Sequence, residues 1–222
     1  MKFEFLNNDV CALNQFPAFY YTEGNNLAKI RVMFIGNSIT IHEQKPEIGW
    51  NKTCGMAASD LEHDYVHIVN KFLIKKYDSS CICVCNGGGW ELDYINNTKA
   101  NSIISLAEEF QPDIVILRIG ENFNKDYLKE RLDPFIAFDY LLKEIKKITN
   151  QVIVTSLFWK NDYLDNKILQ ACKVNNAIYV DLLDLSDDKS NEAIGQFENQ
   201  SVSFHPNDKG MKEIANRIIK VL

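Results

Sequence analysis

The chain has 222 residues, with 30 acidic against 24 basic side chains and a formal net charge of −6. Hydrophobic residues at 46% and charged residues at 24% give an ordinary globular balance, which excludes a disordered chain and fits one α/β domain. No concentrated Lys/Arg stretch offers a duplex-binding surface, and no segment approaches the ~20 apolar residues of a membrane span, so neither nucleic acid nor membrane is expected as a partner.

Residues 1–28 read as an N-terminal extension packing on the domain, with a short strand as an option, and contain Pro17, Gly24 and the aromatics Phe16, Phe19, Tyr20 and Tyr21. The start of the chain lacks the apolar core, about 7–15 residues long, of a secretory leader, and a cytoplasmic protein is expected. The domain proper is expected over 29–222. Its first strand is the apolar run 30–35, closed by Gly36. A long loop over 41–59 follows, of the kind that is usually functional or mobile. A helix over 60–77 places Leu61, Tyr65, Ile68, Val69, Phe72 and Leu73 on one stripe. Strand 81–85 ends at Asn86-Gly87-Gly88-Gly89, and helix 98–110 precedes strand 114–119, closed by Gly120. Helix 134–149 opens on Pro134, where proline is tolerated. Strand 151–156, helix 163–174, strand 178–182 and a closing helix over 207–222 complete the pattern. Strands alternating with helices predict a single three-layer α/β/α domain around a five-stranded parallel sheet in the flavodoxin-like order 2-1-3-4-5.

Of the six cysteines, Cys11, Cys54, Cys81, Cys83, Cys85 and Cys172, none forms a CxxC pair. Cys81, Cys83 and Cys85 alternate along one strand and are expected to be thiols buried on one face. His63 and His67 stand four apart on the first helix without the HExxH arrangement, and solvated positions are expected for both. No metal or organic cofactor is expected.

In a parallel sheet the ligand lies beyond the carboxyl ends of the strands. The first three tips read Gly36-Asn37-Ser38, Asn86-Gly87-Gly88-Gly89-Trp90 and Gly120-Glu121-Asn122. They bring together a hydroxyl, a glycine backbone and an amide, the groups that acyl transfer needs. A serine hydroxyl needs a base to take its proton, and the tetrahedral oxyanion needs N–H donors set in place. His205, in Phe204-His205-Pro206-Asn207-Asp208 before the last helix, would bring an imidazole to the same edge.

These four blocks resemble those of the SGNH (GDSL-like) hydrolase superfamily, from about Arg31 to the C-terminus. The resemblance implies Ser38 as nucleophile and as one oxyanion donor. It implies Gly87 or Gly88 as a second donor, Asn122 as the side-chain donor and His205 as general acid/base. Two departures stand out. The first block reads Gly-Asn-Ser where many members have Gly-Asp-Ser. The Asp that members commonly carry three residues before the histidine is here Val202. A Ser-His dyad oriented by a backbone carbonyl, such as that of Val202, is therefore expected, with Asp208, Glu198 and Glu121 as alternative acids.

Trp50, Trp90, Glu91 and His42 are candidates for substrate contact, since flat aromatic faces suit sugar rings. Glycines and tryptophan in 49–60 resemble a loop of carbohydrate-active SGNH esterases. The expected reaction is hydrolysis of a small O-acyl ester, acetyl on a carbohydrate. An O-acyltransferase using the same acyl-enzyme and a non-catalytic carbohydrate-binding protein are the alternatives. The oligomeric state has no signature in the chain.

Overall fold

The computed structural model describes residues 20–130 and 132–222. Most of the expected N-terminal extension, with Cys11, Phe16, Pro17 and Phe19, lies outside the described residues. The apolar runs form strands β2 (Ile30–Gly36), β3 (Ser80–Asn86), β4 (Ile114–Arg118), β5 (Gln151–Thr155) and β6 (Ile178–Val180), preceded by β1 (Tyr20–Gly24). The sheet runs β1-β3-β2-β4-β5-β6. Its five parallel strands keep the expected order 2-1-3-4-5 counted from β2.

The sheet differs from expectation in being mixed and six-stranded. Strand β1 adds to the outer edge of β3 and runs antiparallel, from Tyr20 opposite Cys85 to Gly24 opposite Cys81. Residues 25–29 are too few for the helical crossover that a parallel connection requires, so the chain reverses between β1 and β2. Gly24 makes that reversal at φ +100°, where a Cβ would lie 2.3 Å from the Ser80 carbonyl oxygen.

The helices are α1 (Tyr65–Tyr77), α2 (Gly88–Leu92), α3 (Asn97–Phe110), α4 (Lys125–Lys129), α5 (Pro134–Ile148), α6 (Asp162–Val174), α7 (Gln200–Ser203) and α8 (Asp208–Ile219). The short α2, α4 and α7 lie in segments where the sequence shows no helical period. Alternation along β2 builds two cores. Met33 and Ile35 face α3, α5 and α6, where Ile103, Phe138 and Ile168 pack. Val32 and Phe34 face α1 and α8, where Tyr65, Val69, Ile214 and Ile218 pack. Cys81, Cys83 and Cys85 are buried together in the first core. Among the described residues, no helix is long and apolar enough to cross a membrane.

His67 departs from the solvated position expected of it. It is buried between α1 and β1. Nδ1 lies 2.7 Å from Asp64 Oδ1 and Nε2 lies 3.2 Å from Glu23 Oε2, with the Tyr21 hydroxyl at 3.3 Å. Burial alone would lower its pKa, but the two carboxylates outweigh that and raise it to about 9.

Candidate active site

Ser38 follows the last residues of β2 in a tight turn. The Asn37 carbonyl accepts the Thr40 and Ile41 N–H groups at 2.9 and 3.0 Å. The turn closes over Gly36, where a Cβ would lie 1.7 Å from Thr40 Oγ1. The Ser38 carbonyl accepts the Met56 N–H at 2.8 Å, which folds the long loop back on the serine. The side chain is half-buried, and its Oγ lies 2.8 Å from His205 Nε2.

His205 stands between α7 and α8, and its backbone is held on both sides. Its carbonyl accepts the Ala193 N–H at 2.9 Å, and its N–H donates to the Val202 carbonyl at 3.0 Å. Asn207 caps α8 through the Gly210 N–H at 3.1 Å. The imidazole Nδ1 lies 2.7 Å from the Ser201 carbonyl oxygen. A carbonyl only accepts, so Nδ1 carries the proton and Nε2 presents a lone pair to Ser38. The helix end explains the choice of carbonyl. Terminal carbonyls lack intrahelical partners, and one turn separates residue 201 from 205. The expected Val202 carbonyl is not the orienting group, because it takes the His205 N–H instead. The Val202 side chain is buried in the core beneath α1 and α8.

None of the alternative acids bonds Nδ1. Asp208 accepts the Ser59 N–H at 2.7 Å, Glu198 is exposed, and Glu121 is bound to Arg118, Asn37 and the Phe158 N–H. Burial, with the charges of Arg118 and His42, lowers the His205 pKa to about 4 against the opposing pull of the Ser201 carbonyl. The edge of the half-buried Trp159 meets the imidazole at 5.4 Å between ring centroids.

Beneath the serine lies a buried polar floor. Asn37 Nδ2 donates to Glu91 Oε1 at 2.9 Å and to Glu121 Oε2 at 2.6 Å. Its Oδ1 accepts Arg118 Nη1 at 3.0 Å, while Arg118 Nη2 pairs with Glu121 Oε1. Asn122 Nδ2 donates to Glu91 Oε2 at 2.7 Å. Burial raises the Glu91 pKa against its donors, and burial lowers that of Arg118 to about 10.

The geometry distinguishes the other expected residues. The Gly87 N–H donates to the Gly36 carbonyl at 2.6 Å, just past the end of the β2–β3 ladder, and the Gly88 N–H to Asn86 Oδ1 at 2.9 Å. His42 stands close enough for its charge to reach His205. Trp50 and Trp90 do not face a cleft. Both are 0% exposed, Trp50 beside Phe197 and Trp90 between Phe123 and Phe138. Glu91, also 0% exposed, is turned to Asn37, Gly120 and Asn122. Trp159, Arg118 and the Ser201 carbonyl were not anticipated. Arg118 had one visible signal, a charge closing the otherwise apolar run Ile114–Arg118.

The fold is shared with solved esterases and lipases. An acetylxylan esterase from Geobacillus stearothermophilus is 16% identical over 87% of this chain and 94% of its own, with a TM-score of 0.54. A family 3 carbohydrate esterase from Clostridium thermocellum is 17% identical over 86% of this chain and 94% of its own, with a TM-score of 0.54. A Parabacteroides merdae protein described as a GDSL-like lipase is 18% identical over 87% and 95%, with a TM-score of 0.57. No family model matches the sequence, and neither does any curated protein.

Proposed function

We propose that this protein is a serine esterase working through a Ser38–His205 dyad. The observation that carries the proposal is the hydrogen bond of 2.8 Å between Ser38 Oγ and an imidazole whose other nitrogen is tied to the Ser201 carbonyl. His205 Nε2 takes the hydroxyl proton as Oγ attacks the ester carbonyl carbon. The tetrahedral intermediate collapses when His205 returns that proton to the leaving alcohol, leaving an acyl-serine. A water molecule, deprotonated by the same nitrogen, then attacks the acyl carbon, and proton return to Oγ releases the acid.

The oxyanion donors in this reading are the Ser38 N–H, the second hydrogen of the Asn122 amide and a glycine N–H of the β3 tip. Gly88 is the better glycine, because its N–H meets a side-chain oxygen, Asn86 Oδ1, rather than a main-chain carbonyl of the sheet. The N–H of Gly87 is bound to the Gly36 carbonyl. We read the substrate as a small O-acyl ester, acetyl on a carbohydrate. Esterases of that kind share the fold. Trp159 beside His205 supplies the aromatic surface that the buried Trp50 and Trp90 cannot.

Hydrolysis of p-nitrophenyl acetate tests the dyad. Ser38→Ala is expected to abolish turnover, and His205→Ala to lower kcat by about 10³-fold or more. Turnover surviving in Ser38→Ala refutes the proposal.

A further inference from the structure

An oxyanion donor works only if it is fixed before charge develops. Asn122 is exposed, and the terminal torsion of an asparagine is broad when nothing holds it. Glu91, from the short α2, holds it at two points. Its Oε2 accepts Asn122 Nδ2 at 2.7 Å, and its Oε1 accepts the Asn122 N–H at 3.3 Å. The same Oε1 takes the Gly120 N–H at 2.5 Å and Asn37 Nδ2 at 2.9 Å. One buried carboxylate thus joins the tips of β2 and β4 from the helix that follows β3.

All four partners are donors, so the group they select is an ionised acceptor without a proton of its own. The nearby buried Arg118, ion-paired with Glu121, also attracts the Glu91 charge and so offsets part of the negative charge of the two carboxylates. One hydrogen of the Asn122 amide is occupied by Glu91, and the other is left for a ligand.

We propose that Glu91 is a positioning residue, which fixes the Asn122 amide so that its remaining N–H meets the oxyanion. This rests on Asn122 serving as oxyanion donor in the esterase reading above. Glu91→Gln keeps the size of the side chain but turns an NH2 against one of the donors. It is expected to lower kcat for p-nitrophenyl acetate by about 10- to 100-fold with KM changed less than about twofold. Asn122→Ala is expected to lower kcat by about 10²- to 10³-fold. Because Glu91 acts through Asn122, the double variant Glu91→Gln/Asn122→Ala should be no slower than Asn122→Ala alone.

A wild-type kcat in Glu91→Gln, or losses that multiply in the double variant, overturns the positioning role. Should Glu91→Gln not fold, the ¹⁵N-labelled wild type provides the test. The Asn122 side-chain amide, identified by its loss in Asn122→Ala, is expected to show one downfield proton protected from exchange. The shift and exchange rate of a free asparagine overturn the clamp. Turnover surviving in Ser38→Ala overturns the esterase reading instead, which keeps the two failures apart.

Discussion

A histidine whose Nδ1 donates to a main-chain carbonyl is oriented without gaining a counter-charge. In a triad the acid both fixes the tautomer and stabilises the imidazolium. Ser201 does the first at 2.7 Å and little of the second. Burial, Arg118 and His42 then act against the imidazolium, which is why the His205 pKa falls to about 4. The imidazole is neutral across the physiological range and, in the proposed dyad, a weaker base than an unperturbed one. The acid limb of kcat/KM is accordingly expected to have its midpoint near pH 4, with a plateau to neutrality. A midpoint at or above the ordinary histidine value of about 6.5 would contradict the burial argument. The missing acid was legible in the sequence as Val202. Its replacement was not, because a backbone carbonyl has no residue signature.

At the level of elements, the tips of β2, β4 and β5 are tied by two glutamates that meet at Asn37. Glu121 reaches Asn37 and the Phe158 N–H, and Glu91 reaches Asn37, Gly120 and Asn122. This gives a physical reason for asparagine rather than aspartate at position 37. A neutral amide donates to both carboxylates, whereas an aspartate would add a third negative charge and no donor. Asn37→Asp is expected to destabilise the fold by about 3 kcal/mol. For a domain of this size that corresponds to a fall in Tm of about 10 °C at neutral pH, partly recovered near pH 5 as a proton enters the cluster. Equal melting temperatures for the two proteins at pH 7 would show that Asn37 is not chosen for its charge.

The elements also show where sequence patterns stop being informative. The parallel strands were legible because they are apolar runs closed by Gly36, Asn86 and Gly120. Strand β1, Tyr-Tyr-Thr-Glu-Gly, has no such run and is a strand only because β3 offers it an edge. Trp50 and Trp90 are candidates for a cleft in the sequence because flat aromatic faces suit sugar rings and both follow a glycine near a strand tip. Residue type cannot tell a tryptophan facing a ligand from one filling a core, and here the core prevails. Trp159 follows the tip of β5, a fourth strand end whose hydroxyls, Thr155 and Ser156, are buried and which has no glycine or histidine to mark it.

Across the whole molecule two histidines, the buried His67 and the half-buried His205, respond to pH in opposite directions. The folded pKa of His205 lies near 4, below its unfolded value of about 6.5, so between those limits the unfolded chain binds the extra proton and stability falls as pH falls. The folded pKa of His67 lies near 9, above its unfolded value, because Asp64 and Glu23 favour the charged ring over the cost of burial. Its contribution is complete below about pH 6.5 and is lost as pH rises through about 9. Since His67 bridges α1 to β1, that loss loosens the edge strand first. Tm is therefore expected to peak near pH 6.5 and to fall on both sides, by about 5–10 °C on the alkaline side. Glu91, raised by burial, and the exposed carboxylates also titrate in acid, so the acid limb is assigned by comparison with His205→Asn. On the alkaline side, His67→Gln should lower Tm at pH 7 and flatten the decline from pH 7 to 10. An alkaline decline in His67→Gln as steep as that of the wild type would remove His67 from the account and place the titration elsewhere in the fold.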